Sequence, residues 1–359
     1  MATTDDARAV RDEDAFDVSA MAQWLRTHAS DAAGLDGTPQ VRQFSGGASN
    51  LTYLLEYEQR DLVLRRPPAG RKARSAHDMR REFTIQDRLR TAFPYVPRMV
   101  GFCDDDAVIG SDFYVMERLD GLIPHKEMPA GVTLSPEEAR ALCRRVLDVL
   151  ADLHAVDVEA AGLSDLRRGA GYVGRQVAGW SDRYRKARTR NVGSFEKVMA
   201  WLDANQPPDL RSCLIHNDYR LDNVVLDKDD PTRVIGVLDW EMATIGDPLM
   251  DLGGALAYWV QADDDLAFRL FRRQPSHLPG MLSRREIVHE YCERAGLSVT
   301  DEEWTFYEVF GLFRLAGIVQ QIYYRYHHKQ TTNPAFKHLY LAVIALDWRC
   351  RRLIRAAGR

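Results

Sequence analysis

His216-Asn217-Asp218-Tyr219-Arg220-Leu221-Asp222-Asn223, followed by Val237-Leu238-Asp239-Trp240-Glu241, is the stretch that decides how this chain is read. It sets an acid at 218, an amide five residues later and a second acid after an apolar run. A phosphoryl-transfer centre calls for these groups. It needs a carboxylate at the acceptor hydroxyl, and an amide and another carboxylate on the magnesium that holds a triphosphate. Two apolar runs, Cys213-Leu214-Ile215 and residues 234–238, read as short buried strands that would hold the polar groups rigidly.

Around this stretch lies a chain of 359 residues, long enough for two lobes with separate cores. Hydrophobic residues make up 45% and charged residues 28%, the balance of an ordinary globular protein. A formal net charge of −4 leaves no basic excess, so no nucleic-acid partner is expected. The five cysteines are scattered and form no C-x-x-C pair, which argues against a zinc site or a disulfide framework. They read as reduced thiols of a cytoplasmic protein. The N-terminal residues are acid-rich and carry no signal-peptide pattern. No apolar run approaches the roughly 20 residues that span a bilayer, so no membrane partner is expected. The oligomeric state is open.

The patterning divides the chain. Residues 1–17 read as a disordered or frayed terminus, and 18–119 as a β-rich lobe for a nucleotide. Residues 120–359 read as a helical lobe for catalysis and the acceptor. In the first part a short helix is expected over 18–28, with Met21, Trp24 and Leu25 inward. Strands are expected over 51–57, 62–65, 98–103 and 113–117. A helix over 75–93 carries Met79, Phe83, Gln86 and Leu89 on one stripe. After Leu119-Asp120-Gly121 the pattern turns helical. Ser135-Pro136-Glu137-Glu138 is a strong helix start, with serine at the cap, proline at N1 and glutamate at N3. Further helices are expected over 172–188, 194–204, 248–262, 301–326 and 334–356. The fold class is therefore α+β, with an antiparallel sheet in the first lobe and helices in the second.

Taken together, residues 40–350 resemble the aminoglycoside phosphotransferase family of small-molecule kinases, distant relatives of choline and protein kinases. The likeness is greatest to the subgroup also found fused to some acyl-CoA dehydrogenases. It rests on Leu64-Arg65-Arg66-Pro67-Pro68, the 216–223 run, Leu238-Asp239-Trp240-Glu241 and Gly246-Asp247-Pro248-Leu249-Met250-Asp251-Leu252-Gly253. The resemblance implies an ATP- and Mg2+-dependent kinase of a two-lobed, protein-kinase-like fold, acting on a small-molecule hydroxyl. In that reading Asp218 is the catalytic base, and Asn223 and Asp239 hold the magnesium. His216 braces the loop, and Asp251 receives backbone N–H groups of the loop. Asp247 precedes Pro248 and reads as a helix cap. Glu241 is either a third acid near the metal or a solvated turn residue.

In the first lobe, Ser45, Gly46, Gly47, Ser49 and Asn50 form a Gly-rich turn that is expected to cover phosphates. It has no G-x-x-x-x-G-K-[ST] pattern and is no Walker loop. Along the strand Leu62-Val63-Leu64-Arg65, period two puts Val63 and Arg65 on one face. Val63 would then meet the adenine and Arg65 the phosphates, with Glu82 as its partner. Related kinases place a lysine here, so the arginine is a departure. Its alternative is a surface ion pair, in a nucleotide-binding pseudokinase. Met116, Glu117 and Leu119 look like the hinge that binds the adenine edge.

For the acceptor, Tyr258, Trp259, Tyr323, Tyr324 and Arg325 are candidates to line the pocket. Residues 304–359 hold nine Arg or Lys against Glu308 and Asp347. That balance suits a neutral or anionic acceptor, such as a hydroxyacyl group, better than a polycationic aminoglycoside, provided residues such as Arg314, Arg325, Lys329 and Lys337 face it.

Overall fold

The computed structural model describes residues 7–44, 50–68 and 78–358. Its elements run β1 (Ala7–Arg8), α1 (Val18–His28), β2 (Gln40–Phe44), β3 (Leu51–Glu56), β4 (Asp61–Arg66), α2 (Met79–Leu89), β5 (Met99–Cys103), α3 (Asp106–Ile109) and β6 (Phe113–Glu117). They continue as α4 (Pro136–Ala155), α5 (Tyr172–Ala187), α6 (Glu196–Ala204), β7 (Cys213–Ile215), β8 (Val224–Leu226), β9 (Val234–Val237) and β10 (Thr244–Gly246). The remainder is helical: α7 (Pro248–Leu256), α8 (Leu266–Leu270), α9 (Arg284–Ala295), α10 (Asp301–His327) and α11 (Leu339–Ala357).

Two compact units result. The first comprises Met1–Leu122, Glu159–Leu163 and Val225–Glu241, and the second the remainder. The first holds a six-stranded antiparallel sheet in the order β1-β2-β3-β4-β6-β5. Alternation along β4 sorts its two faces. Leu62 and Leu64 join Tyr53, Leu55, Phe113 and Val115 in a core that takes in Met21 and Leu25 of α1. Val63, on the opposite face, joins Met79 of α2, Met99, Tyr114 and Met116. Caps set where both helices begin: Asp17 accepts the Ala20 N–H, and Asp78 the Arg81 N–H.

Three expectations are corrected here. Residues 7–17 are ordered, not frayed: β1 pairs Ala7 and Arg8 with Phe44 and Gln43. The buried Asp14 carbonyl accepts the Tyr53 hydroxyl (2.8 Å) and the Arg66 guanidinium (2.6 Å), so an acid-rich run satisfies two buried donors. The helix expected over 75–93 spans Met79–Leu89 instead, with 75–77 outside the described residues. The 225–241 segment, expected in the helical lobe, belongs to the first unit. Leu122 and Leu226 exchange two backbone hydrogen bonds of 2.8 Å beside Gly121, where a Cβ would stand 2.4 Å from the Leu226 carbonyl oxygen. Only glycine permits that approach.

The second unit is mainly helical. Its small sheet pairs β7 antiparallel with β10. Helices α7 and α10 touch backbone to backbone, since a Cβ on Gly311 would sit 2.1 Å from the Gly253 carbonyl oxygen. Capping boxes start α4 at Ser135, α9 at Ser283 and α10 at Thr300. Helix α9 is absent from the sequence reading although Ser283 and Glu286 give its start signal. Its buried stripe is short and set among charged residues. The region expected as one helix over 334–356 is a 3-10 turn at Pro334–Phe336 and then α11. All five cysteines are buried and unbridged. Among the described residues, no helix is long and apolar enough to cross a membrane.

Candidate active site

In the second unit the 216–223 loop leaves β7 and is held from below by one buried carboxylate. Asp251, in the first turn of α7, accepts the N–H of His216 at 2.8 Å and of Asn217 at 2.7 Å. His154, near the end of α4, meets the same carboxylate at 3.1 Å through Nε2 and the Tyr291 hydroxyl at 2.6 Å through Nδ1. Burial alone would raise the Asp251 carboxyl, but His154 and the backbone donors outweigh it and hold it below the usual carboxylate range. Asn217 has φ +64°, a sparsely populated region for a residue with a Cβ. Its carbonyl accepts Arg314 Nη2 at 2.6 Å, its amide oxygen the Tyr172 hydroxyl at 3.3 Å, and its amide nitrogen donates to the Met242 carbonyl at 3.1 Å. These contacts over-determine the strained turn. His216 Nδ1 accepts the Asp218 N–H at 3.2 Å, a bracing contact. Asp247 caps α7, accepting the Leu249 and Met250 N–H groups.

The Asp218 carboxylate is shared. Asn223 Nδ2 donates to its Oδ2 (3.0 Å) and to its carbonyl (2.8 Å). Arg220 approaches Oδ1 at 3.1 Å and Oδ2 at 3.2 Å, lies 3.4 Å from Asp222 and covers the Tyr258 ring at 4.6 Å. Burial pushes the Asp222 carboxyl up, and Arg220 opposes the shift. Gln274, also buried, accepts the Leu221 N–H at 2.7 Å and donates to the Tyr258 carbonyl at 3.2 Å. The sequence reading missed Arg220, Gln274, Arg314, His154 and Tyr291 as site-shaping residues. Arg220 was flagged only by its place in the motif, and Arg314 only as a candidate cation facing the acceptor. Gln274, His154 and Tyr291 arrive from distant segments, and nothing local marks them.

In the first unit, Arg65 joins two acids. Nη1 donates to Glu82 Oε1 at 2.5 Å and Nη2 to Asp239 Oδ1 at 3.1 Å. Glu82 is 1% exposed, so the arginine is no surface charge. Burial would weaken its protonation, but Glu82, Tyr114 and Asp239 more than reverse this and hold it charged. Burial likewise pushes the Glu82 carboxyl up, against the pull of Arg65. Asp239, at φ +67°, keeps 35% of its side chain exposed and is followed by Trp240, buried against Phe93. Glu241 accepts Asn50 Nδ2 at 3.2 Å, and its carbonyl accepts Arg81 at 3.1 Å. Ser45, Gly46, Gly47 and Ser49 lie outside the described residues. Val63 and Met116 are register partners in the core, and the Glu117 N–H is engaged by the Arg98 carbonyl at 2.9 Å. Leu119 packs over Gly236.

We expect Arg65→Ala to strand the buried Glu82, cost about 3–5 kcal/mol of stability and raise the KM for ATP. Arg65→Lys should restore much of both. Unchanged ATP kinetics in the alanine variant would show that Arg65 has no part in the site.

Among the described residues, no group of three or more His, Cys, Asp or Glu side chains is arranged to hold a metal ion. Magnesium does not require one, because it keeps waters and shares phosphate oxygens. Asn223, its nitrogen turned to Asp218, offers an amide oxygen, and Asp239 offers a carboxylate. Each is by itself a hard oxygen donor of the kind that ion takes. Asp239→Ala is expected to weaken magnesium-dependent ATP binding more than Asn223→Ala, since a full charge is lost rather than a dipole. Calorimetric titration with and without magnesium checks this, and wild-type binding in both variants would place the metal elsewhere.

The acceptor candidates separate. Tyr258 stands beside Arg220. Trp259 is buried with its indole on the Leu282 carbonyl, and Tyr323 is buried with its hydroxyl on Asn191. Tyr324 packs against His328 with the rings tilted, and Arg325 is exposed. The basic excess of residues 304–359 is smaller than its count. Arg314 is buried on the Asn217 carbonyl, Arg349 and Arg352 pair with Asp264 and Asp265, and Arg351 pairs with Asp347. The partners at 264 and 265 come from outside the counted window.

An antiparallel-sheet unit bearing an Arg–Glu pair, with a helical unit bearing an Asp–Asn loop, makes a two-lobed, kinase-like α+β fold. The sequence profile of the phosphotransferase enzyme family matches residues 40–287, and the chain belongs to that family. A Ralstonia eutropha protein assigned as an aminoglycoside phosphotransferase superposes with a TM-score of 0.77 at 30% identity, over 94% of this chain and 99% of that one. Mouse acyl-CoA dehydrogenase family member 10 is 36% identical over 290 residues, 80% of this chain and 27% of that protein. The chain thus spans less than half the length of the curated relatives it matches. An aminoglycoside phosphotransferase mutant in ternary complex with AMP-PNP and hygromycin B shares the fold, with a TM-score of 0.55 at 16% identity over 94% of this chain and 99% of that one.

Proposed function

We propose that the chain is an ATP- and Mg2+-dependent phosphotransferase that moves the γ-phosphoryl group to the hydroxyl of a neutral or anionic small molecule. The observation that carries this is the Asp218 carboxylate, held by Asn223 and Arg220 on a loop locked by Asp251. In this reading Asp218 takes or orients the proton of the acceptor hydroxyl, and Arg65 and the turn around Asn50 bind the triphosphate. Asn223 and Asp239 would hold a magnesium ion, which when bound neutralises charge on the phosphate oxygens. Arg65 was the one feature that favoured an inert nucleotide-binding module. Its buried bond to Glu82 removes that support, since it keeps the cation–carboxylate pairing that a lysine would make.

For the acceptor we propose a hydroxyacyl group, carried as a thioester of coenzyme A. What supports it is the likeness to acyl-CoA dehydrogenase family members 10 and 11, of which the matching segment forms a part. The test is acceptor-dependent ADP release over hydroxyacyl thioesters, free hydroxy acids and kanamycin-type compounds. Turnover is expected with the first group and negligible with the last. Phosphorylation of a polycation with kcat/KM of about 10⁴ M⁻¹s⁻¹ or more would overturn the acceptor class.

A further inference from the structure

Many arginines of the second unit pair with acids, Arg284 and Arg349 with Asp264 and Arg294 with Asp148 among them; one cluster of exposed cations carries no such pair. Arg188, Arg190, Arg325, Lys329 and Lys337 are exposed and form no ion pair among the described residues. His327, His328 and His338 are exposed beside them, and no acid occurs between Glu308 and Asp347. Three segments bring these residues together. Gln320 of α10 donates to the Ala187 carbonyl (2.8 Å) and the Thr189 hydroxyl (3.1 Å). Asn191 donates to the Tyr323 hydroxyl at 2.9 Å, and Tyr323 packs on Tyr340 of α11 at 5.6 Å. The neighbouring Arg185 and Lys186 are paired with Glu196 and Asp182. The negative end of α10 accounts for cations in its own last turn. It does not account for Arg188, Arg190 or Lys337, which come from other segments.

We propose that this face binds the phosphate-bearing tail of the acceptor, a deduction that rests on the hydroxyacyl-CoA reading above. Helix α10 supplies the ruler. Arg314 touches the residue before Asp218, and Arg325 lies eleven positions further on, about 16 Å along the axis at ~1.5 Å per residue. The arm from the thioester sulfur of coenzyme A to its first phosphorus has some thirteen bonds. At the advance of extended peptide, ~3.4 Å per three bonds, it spans about 15 Å. A hydroxyl at Asp218 thus allows the diphosphate and 3′-phosphate to reach the arginines.

The experiment compares the wild-type chain with an Arg188→Glu, Arg190→Glu double variant, both substitutions being on exposed side chains. Coenzyme A and pantetheine are titrated calorimetrically into each protein. Wild type is expected to bind coenzyme A more tightly than pantetheine, and the variant to lose about tenfold or more, ~1.4 kcal/mol. With hydroxybutyryl-CoA the KM should rise similarly with kcat unchanged, while turnover of hydroxybutyryl-pantetheine is the same in both. Equal binding of coenzyme A and pantetheine by wild type, or of coenzyme A by wild type and variant, overturns the proposal. Hydroxybutyryl-CoA turned over with an unchanged KM in the variant also overturns the face, and leaves the acceptor class standing. Coenzyme A binding lost in the variant, with no thioester phosphorylated by wild type, supports the face and removes the acceptor class.

Discussion

Asp218→Ala is expected to lower turnover by about 10²–10⁴, the usual contribution of a positioned general base, with nucleotide affinity little changed. The carboxylate is held between Asn223 and Arg220, and both of its oxygens are engaged. Those bonds fix its orientation but also neutralise it, so an acceptor hydroxyl has to share or displace the arginine. Removing the carboxylate frees Arg220 toward Asp222, already 3.4 Å away, so no cation is left without an acid. The loop is anchored by backbone bonds to Asp251, which the substitution does not touch. The loss should therefore fall on kcat, with folding preserved. Single-turnover kinetics and an ATP titration on the same variant separate the two. Turnover within a few-fold of wild type would remove Asp218 from the chemistry.

Asp251→Ala should have the largest effect on stability. The residue is 2% exposed, and its loss strands the N–H groups of His216 and Asn217 together with His154. Breaking a buried charged network by deleting one member costs about 3–5 kcal/mol, and the strained Asn217 turn loses its anchor. Activity should fall with stability, unlike in Asp218→Ala. The pH dependence follows from the direction of the shift. The folded carboxyl is held below its unfolded value of about 3.9, so its contribution is complete above that pH. It is lost as the pH falls through the folded value. Wild type is expected to lose stability below about pH 4, and an Asp251→Asn variant to show less of that acid-side loss. Denaturant midpoints between pH 3 and 7, a window set around the carboxylate range, test this. Identical pH profiles would assign the acid transition to other groups.

Strands β3, β4, β5 and β6, the long helices α4 and α10 and the family itself were legible without coordinates. Period-two and period-3.6 patterns are local properties of the chain, and burial of one face enforces them. The pairing of Arg65 with Glu82 was legible on two grounds: strand alternation set Arg65 on the face of Val63, and the kinase pattern puts a helix glutamate opposite that strand cation. The ordered terminus was not. Nothing near Asp14 announces that its carbonyl receives Arg66 and Tyr53. Counting charge along 304–359 misled because an ion pair is closed in space, and Arg349 finds Asp264 far outside any window.

The amino-acid sequence by itself determined the chemistry available here: an acid, an amide and a second acid at set spacings, between short apolar strands. What only the tertiary structure decided is how those groups are held. Arg220 lies on Asp218, His154 and Asp251 lie under the loop, Arg314 takes the Asn217 carbonyl, and the 225–241 segment joins the sheet-bearing unit. The physical reason is the same in each case. A buried polar group must find its partner wherever the packed chain supplies one, and that partner's distance along the sequence has no bearing on the bond.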